Sequence, residues 1–313
     1  MNQECVIKVS NLKKQFGNKV AVKNVSFEIK KGDIFGLLGP NGAGKTTVLR
    51  MMTTLLRQDA GNVLLNGFDT LTQSRLARQQ FSITGQTAAI DQDLTARENL
   101  MIFGKLNGLT RTATKARATA LLTDFDLTQS ADQTLATFSG GMRRRLDLAI
   151  SLIGKPAILF LDEPTTGLDP RTRMQMWQAI QKLVAEGSTV LLTTQYLEEA
   201  DHLTDRIALI DHGKLVAMGT PNDLKQQIGG MQLRIEVANL QVQQQARKII
   251  QEVLTLPVSV NDRTLTVLLD NTKMQKVSQA LSQLQDAAIS INNFAVETPP
   301  LDEVFLKMTV GKN

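Results

Sequence analysis

A phosphate-binding pattern lies near the start of the chain, in the stretch from Gly39 to Thr47. It satisfies G-x-x-x-x-G-K-[ST], and apolar residues 34–38 before it predict a buried strand, while residues 46–56 after it predict a helix. The glycines let successive backbone N–H groups point at a polyphosphate, assisted by the positive end of that helix. Lys45 can then reach the β- and γ-phosphates, and the Thr46 hydroxyl can ligate Mg²⁺. These flanking elements favour nucleotide binding over a glycine-rich turn that binds nothing.

Two adjacent carboxylates, Asp162 and Glu163, follow the apolar run from Ala157 to Leu161. Such a run is typical of a central parallel strand, which presents the next residues at its C-terminal end. Asp162 can hold the Mg²⁺ shell, and Glu163, which points the other way, can polarise a water molecule. The sequence therefore predicts a site for hydrolysis of a nucleoside triphosphate.

Two further side chains fit this chemistry, but their positions leave other roles open. Gln86 follows a predicted strand at residues 81–84, where an amide near the γ-phosphate can bind the Mg²⁺ shell or the attacking water; it also fits a surface loop. Phe16 lies in a polar segment, where its ring could stack on adenine or pack beneath the loop as part of the core. The residues alone do not decide between these alternatives.

A helix with an open N-terminus is predicted to begin after Ser139. Ser139 is a favourable N-cap, and Gly140 and Gly141 leave room for close approach by an anion. Three arginines, Arg143 to Arg145, follow. Because consecutive residues fan around a helix, we interpret them as a solvated face rather than as a nucleic-acid-binding patch.

The elements that position these groups alternate between strand and helix, which indicates an α/β core. A capping box, Thr95 to Glu98, opens a pair of helices that interrupts the alternation and predicts a helical subdomain at about residues 87–150. After Gly229-Gly230 the order becomes β-α-β-β-α-β, which is typical of a small ferredoxin-like α+β module. We therefore expect two domains, residues 1–230 and 231–313.

Bulk properties are those of an ordinary globular chain of 313 residues, 42% hydrophobic, 21% charged and with a net charge of +5. No apolar stretch approaches the roughly 18 residues of a membrane span, so we expect another chain to supply any membrane part. The single cysteine, Cys5, excludes an internal disulfide framework and fits a reducing compartment. Two histidines without cysteine partners argue against a structural zinc site.

Together the motifs resemble the ATP-binding cassette of ABC transporters, over Val6 to about Gly230. The resemblance implies a P-loop NTPase fold with a RecA-like core, an antiparallel β-subdomain and an inserted α-helical subdomain. It implies ATP contacts, with adenine stacking at the first residue, for Phe16, Asn41, Gly42, Ala43, Gly44, Lys45, Thr46, Thr47, Ser139, Gly140, Gly141 and Asp169. It implies Mg²⁺ ligation by Thr46, Gln86 and Asp162, and catalytic roles for Glu163 as the base and for Gln195, Gln86 and Lys45.

The segments Phe138 to Ala149 and Thr193 to Ala200, with the C-terminal module, look like the daunorubicin-resistance-type drug exporter ATPases of bacteria. Three positions depart from the general cassette pattern: Phe138 replaces the usual leucine, Met142 the usual glutamine and Gln195 the usual histidine. A glutamine can donate a hydrogen bond to a γ-phosphate but cannot carry a positive charge.

Because the chain carries one copy of each motif, the resemblance implies that a second copy completes the site and that an integral membrane permease of the ABC-2 type is the partner. The expected location is the cytoplasmic face of the cell membrane, with no nucleic acid partner. Drug efflux is the implied function; lipid or peptide export and a soluble non-transport ABC ATPase remain alternatives. A chromosome-type ATPase is disfavoured, since residues 86–139 contain no sustained heptads.

Overall fold

The computed structural model describes residues 4–84, 90–227, 231–269 and 273–310. The chain divides into two compact units, residues 1–218 and 219–313. The expected boundary at Gly229-Gly230 falls outside the described residues. The short helix before it belongs to the second unit, in which it packs on the C-terminal helix.

The described strands of the first unit are β1 (Cys5–Phe16), β2 (Lys19–Lys30), β3 (Ile34–Leu38), β4 (Ala60–Leu65), β5 (Phe68–Asp69), β6 (Phe81–Thr84), β7 (Ile158–Asp162), β8 (Thr189–Thr194), β9 (Arg206–Asp211) and β10 (Lys214–Gly219). Its described helices are α1 (Lys45–Met52), α2 (Ser74–Arg78), α3 (Ala96–Leu106), α4 (Arg111–Asp124), α5 (Gly140–Ser151), α6 (Pro170–Ala185) and α7 (Leu197–Leu203).

Two sheets form the first unit, and their burial follows from their sequences. One has the order β2-β1-β4-β5. Its strand β1 alternates buried Ile7 and Val9 with exposed Lys8, as expected for a sheet with one solvated face. The other has the order β10-β9-β3-β8-β7-β6. Strands β3, β7 and β8 are buried along their whole length, which explains their continuous apolar runs.

The parallel register of this second sheet positions the predicted site. β8 lies between β3 and β7, with Leu38 opposite Thr194 and Asp162 opposite Thr193. Because parallel strands end at the same edge of a sheet, the loop after β3 and the residues after β7 meet there. The edge is thus the one that the sequence predicts for phosphate and carboxylate chemistry.

Helices α3, α4 and α5 lie between β6 and β7 in the chain and share an apolar core with α6. Local caps define their starts. The Thr95 side chain accepts from the Glu98 amide in a full capping box, and the Ser139 hydroxyl accepts from the Met142 amide. Asp169 caps α6 in the same way, with Pro170 at the first helical position. The caps at Thr95 and Ser139 were predicted from the sequence.

The described elements of the second unit are α8 (Pro221–Gln226), β11 (Met231–Val237), α9 (Gln243–Leu254), β12 (Ser259–Asn261), β13 (Thr264–Leu269), α10 (Val277–Asp286), β14 (Ile291–Glu297) and α11 (Leu301–Val310). The sheet order is β12-β13-β11-β14, and the pairs are antiparallel. Together with the β-α-β-β-α-β chain order, this confirms the predicted ferredoxin-like module. Buried Leu301 and Val304 in α11 show that this helix has a packing partner within its own unit.

None of the helices in the described ranges combines the length and apolar character that crossing a bilayer requires.

Candidate active site

A cavity of about 460 Å³ opens beside the start of α1, and its size suits a small-molecule ligand. The residues that line it are Phe16, Lys19, Ala21, Asn41, Gly42, Gly44, Lys45, Thr46, Thr47 and Glu163. An aromatic ring, a phosphate-binding loop and a carboxylate therefore share one space. The Phe16 ring is 49% exposed, which excludes the alternative that it is a core residue beneath the loop.

The loop between β3 and α1 needs glycine for steric reasons at two positions. Gly39 has φ 158°, and a Cβ there would lie 2.1 Å from the Ile210 carbonyl oxygen. Gly44 has φ 111°, and a Cβ would lie 2.7 Å from the Ala21 carbonyl oxygen. Since L side chains disfavour the conformation at Gly44 and both approaches are closer than contact, only glycine lets the loop pack this tightly. The residues from Gly44 to Thr47 line the cavity at the start of α1.

Lys45 is almost fully buried, with 4% of its side chain exposed. Its Nζ donates to the carbonyl oxygens of Gly39 at 2.7 Å and Pro40 at 3.2 Å, and lies 3.9 Å from Glu163 Oε1. Burial lowers the pKa of Lys45, and the negative charges of Glu163 and Asp162 oppose that decrease. The ammonium group is therefore held at the loop, next to the carboxylate.

Asp162 is buried at the end of β7 and joins three elements. Its Oδ1 accepts from the hydroxyl of Thr193 at 2.5 Å and lies 3.4 Å from the hydroxyl of Thr46, which donates to it. A carboxylate thus lies next to the hydroxyl of Thr46, which lines the cavity. Such oxygen donors suit Mg²⁺, which takes one or two carboxylates and completes its shell with water and substrate phosphates. Among the described residues, no group of three or more acidic, histidine or cysteine side chains is arranged to hold a metal ion.

Glu163 lines the cavity in an uncommon backbone conformation. Its φ is 49°, in the left-handed region, and its amide donates to both the carbonyl and the hydroxyl oxygen of Thr193, at 3.1 and 3.0 Å. Its Oε2 accepts from the Thr166 hydroxyl at 3.3 Å. Positive φ at a residue other than glycine is uncommon and persists where surrounding contacts fix it.

Other predicted site residues do not line this cavity. Ala43 is buried within the loop, and Asp162 is buried at the end of β7, where it accepts from the Thr46 hydroxyl. Gln195 is half-buried directly after β8, at the same sheet edge. Ser139, Gly140, Gly141 and Asp169 also lie outside the lining. Gln86 lies outside the described residues.

The starts of α5 and α6 lie against each other. A Cβ on Gly141 would lie 3.2 Å from the Thr172 methyl group, and Thr172 donates its amide and hydroxyl to the Asp169 carboxylate. Ser139, Gly140 and Asp169 are exposed. Two helix N-termini therefore form one accessible surface that is separate from the cavity lining.

The interpretation of Arg143 to Arg145 as a solvated face is wrong. All three are half-buried, and each donates to main-chain carbonyl oxygens: Arg143 to Leu135 and Ala136, Arg144 to Asp162, Glu163 and Pro164, and Arg145 to Phe125 and Asp126. Other parts of the helical insertion and the turn after β7 surround the first turns of α5. The three arginine side chains therefore find carbonyl acceptors although they point in different directions from the helix.

Sequence reasoning missed several groups around the site. Lys19 and Ala21 line the cavity from β2, and Thr193 donates to the Asp162 carboxylate and accepts from the Glu163 amide. Glu199 in α7 is fully buried, where it accepts from the Thr165 hydroxyl at 2.7 Å and from Trp177 Nε1 at 3.2 Å. Burial raises the pKa of Glu199. These contacts join distant segments, so no local pattern marked them.

Comparison with known proteins decides the family. The sequence pattern of the ABC transporter family matches residues 22–166, and that of the C-terminal domain of DrrA1-3-like ATP-binding proteins matches residues 219–309. The daunorubicin resistance ATP-binding protein DrrA3 of Streptomyces coeruleorubidus is 44% identical over 98% of this chain and 96% of its own length. This chain belongs to the ABC transporter ATP-binding family. The linearmycin resistance ATP-binding protein LnrL of Bacillus subtilis is 37% identical over 97% of this chain and 98% of its own.

Solved structures show the same cassette fold. An ATP-binding subunit of an ABC transporter superposes with a TM-score of 0.65 at 26% identity, over 71% of this chain and 93% of that one. A dimeric cassette in a post-hydrolysis state, bound to ADP and Pi, gives a TM-score of 0.62 at 27% identity, over 68% and 98% of the two chains. The predicted fold class is confirmed, and the chain is an ATP-binding ATPase of this family.

Asp147 in α5 generates a prediction about stability. Its side chain is 12% exposed, and burial raises its pKa from 3.8 to about 6, against the favourable charge of Arg144 at 3.7 Å. Between these values the folded chain binds more protons than the unfolded chain, so stability falls as pH rises through the window. The ionised carboxylate then costs up to about 3 kcal/mol above pH 6.

We expect Asp147→Asn to gain stability relative to wild type by roughly 1 kcal/mol between pH 5.0 and 7.5, since the amide has no proton to lose. Denaturant unfolding followed by the single tryptophan, Trp177, measures this. Asp132→Asn is the control, because the hydrogen bond from Arg97 lowers the pKa of Asp132 and the carboxylate stays ionised across this range. A difference between Asp147→Asn and wild type that is constant with pH would contradict the assignment.

Proposed function

We propose that this chain is the ATPase subunit of a bacterial ABC exporter that drives drug efflux through a separate membrane permease. The main observation behind the proposal is the cavity, which is lined by Phe16, the loop before α1 and Glu163. The chain that contains it resembles a daunorubicin resistance protein over nearly its whole length. The matching C-terminal unit strengthens the proposal, because the likeness extends beyond the cassette that all such ATPases share.

In this proposal the ring of Phe16 stacks on adenine and the amides from Asn41 to Thr47 bind the phosphates. Lys45 exchanges its carbonyl contacts for phosphate oxygens and balances negative charge there. Thr46, Asp162 and Gln86 would hold Mg²⁺, which supplies charge neutralisation on the transferring phosphoryl group.

Glu163 is proposed as the general base. Its carboxylate orients a water molecule toward the γ-phosphorus atom and accepts the water proton as the phosphorus–oxygen bond to ADP breaks. Lys45 Nζ lies 3.9 Å from Oε1 of this carboxylate. Gln195 is proposed to sense the γ-phosphate through its amide, which is consistent with its place after the strand that anchors Asp162.

A second copy of the chain is the proposed partner at the helix N-termini. Ser139, Gly140, Gly141 and Asp169 lie outside the cavity lining at two adjoining helix starts, and Ser139, Gly140 and Asp169 are exposed there. Amides of this kind suit the γ-phosphate of ATP bound to another copy. ATP would then join two cassettes head to tail, and hydrolysis would release them.

The proposed permease is an integral membrane protein of the ABC-2 type, which would hold the cassette at the cytoplasmic face of the membrane. Its contact would be the helical insertion of about residues 87–150. Export of a lipid or peptide would use the same residues of this chain, so the transported molecule is the part of the proposal that rests on likeness to drug-resistance relatives.

Glu163→Gln should lower kcat for ATP hydrolysis by at least about 10²-fold, because the amide cannot accept a proton. ATP-driven dimerisation should persist, because the amide keeps the shape of the side chain. Phosphate release and light scattering with and without ATP measure the two properties. Glu198→Gln, which changes a mainly exposed neighbour in α7, should hydrolyse ATP like wild type. Wild-type turnover in Glu163→Gln would show that Glu163 is not the general base.

Gln195→Ala should lower ATP turnover well beyond twofold, toward the 10²-fold scale of about 3 kcal/mol that a positioned group contributes. Steady-state hydrolysis over a range of ATP concentrations measures it. Gln178→Ala removes an exposed glutamine from α6 and serves as the control. If Gln195→Ala stays within about twofold of wild type, the sensing role is wrong.

Cells that express this chain together with the proposed ABC-2 type permease should expel daunorubicin. Lys45→Ala should abolish this efflux, since the loop loses its phosphate-binding cation. Retained fluorescence of the drug measures it, and Lys248→Ala, an exposed change in α9, should behave as wild type. Permease-stimulated ATPase activity without drug efflux would overturn the drug assignment but leave the exporter class intact.

A further inference from the structure

The guanidinium group of Arg144 contacts three consecutive main-chain carbonyls around the proposed base. Its Nη2 donates to the oxygens of Asp162 at 3.0 Å and Glu163 at 2.9 Å, and its Nε donates to the oxygen of Pro164 at 2.9 Å. Three carbonyl oxygens that converge in a half-buried turn repel one another unless a cation satisfies them. A planar guanidinium with five N–H donors is the side chain that can do so.

The turn that Arg144 contacts is the one that carries Glu163 with its left-handed φ of 49°. On the opposite side, the amide of Glu163 is fixed by Thr193. The backbone of Glu163 is therefore held through its amide by β8 and through its carbonyl by α5. Because an uncommon φ persists only where neighbouring groups enforce it, loss of either contact frees the residue to relax.

Arg144 is itself held in place. It lies in the first turns of α5, and its Nη1 is 3.7 Å from Oδ2 of Asp147, one turn further along the helix. Both side chains are mostly buried, at 17% and 12% exposure. A buried ion pair of this kind limits the rotamers of the guanidinium and keeps its donors aimed at the β7 turn.

We propose that Arg144 is a positioning residue for ATP hydrolysis, which fixes the orientation of Glu163 from the helix that begins at Ser139. This rests on the proposed function, in which Glu163 is the base. Arg144 does not line the cavity, so it acts on the base and not on the nucleotide. Its loss should therefore lower kcat and leave ATP binding unchanged.

Arg144→Met tests the proposal with the full chain. We expect kcat for ATP hydrolysis to fall at least about tenfold with KM for ATP within about twofold, since a shift of about 1 Å in a catalytic group can cost about 10²-fold. Arg144→Lys keeps the charge but has one ammonium group for three carbonyls, so its kcat should also fall, by at least about fivefold. Arg144→Lys carries the test if Arg144→Met does not fold.

Arg145→Met is the matched control. Arg145 lies on the same helix, donates to the carbonyls of Phe125 and Asp126 and has an ion pair with Asp126 at 3.6 Å, but it does not contact the β7 turn. We expect Arg145→Met to lose thermal stability while kcat stays within about threefold of wild type. Equal loss of kcat and of thermal stability in the two methionine variants would mean that Arg144 contributes only to stability, and it would overturn the proposal.

Further outcomes distinguish the positioning role of Arg144 from the proposed role of Glu163 as the base. A folded Arg144 variant with kcat within about twofold of wild type, or with a raised KM and unchanged kcat, overturns the positioning role alone. Wild-type turnover in Glu163→Gln instead overturns the proposed base, and with it both proposals. Retained ATP-driven dimerisation in the Glu163→Gln, Arg144→Met double variant supports an effect on chemistry and not on assembly; its loss overturns the positioning role.

Discussion

The chemistry of the cassette depends on a buried cation that lies beside two carboxylates. Lys45 is desolvated, and it lies 3.9 Å from Glu163. A buried ion pair is weak evidence for stability, since desolvation of both charges offsets much of their attraction. The arrangement is better explained by the ligand: the carbonyls of Gly39 and Pro40 hold the ammonium group where polyphosphate oxygens, which are far stronger acceptors, can replace them.

This proximity depends on sheet topology. Lys45 and Glu163 follow β3 and β7, and these strands do not pair with each other because β8 lies between them. Thr193 of that middle strand donates to Asp162 and accepts from the Glu163 amide, so the intervening strand also sets the spacing. Movement of β8 relative to β7 would shift both carboxylates at once. Gln195 follows directly on the same strand, which puts the residue that departs from the usual family pattern in covalent continuity with the anchor of the base.

Sequence reasoning recovered what local patterns encode. The glycine spacing of the loop, the N-caps at Thr95 and Ser139 and the order of strands and helices all depend on near neighbours, and the fold followed from them. It failed for Arg144, whose acceptors lie near residue 163, and for Glu199, whose partners lie in two other segments. Charged residues on a predicted helix normally face solvent, so only the tertiary structure reveals that Arg144 is half-buried, that Glu199 is buried and that both hydrogen-bond to distant segments.

The two helix starts and the cavity are linked through one helix. The exposed surface at Ser139 begins α5, Gly141 fixes that start against α6 through Thr172, and Arg144 joins the next turns to the backbone of Glu163. A ligand that binds the start of α5 would therefore contact a helix whose Arg144 side chain donates to the main chain of the proposed base. If a second subunit's nucleotide occupies that surface, the two ATP sites of a dimer are mechanically joined within each chain as well as across the interface. Coupling of this kind needs a contiguous set of fixed contacts, and each contact in this set is a hydrogen bond or a close packing approach of a few ångströms.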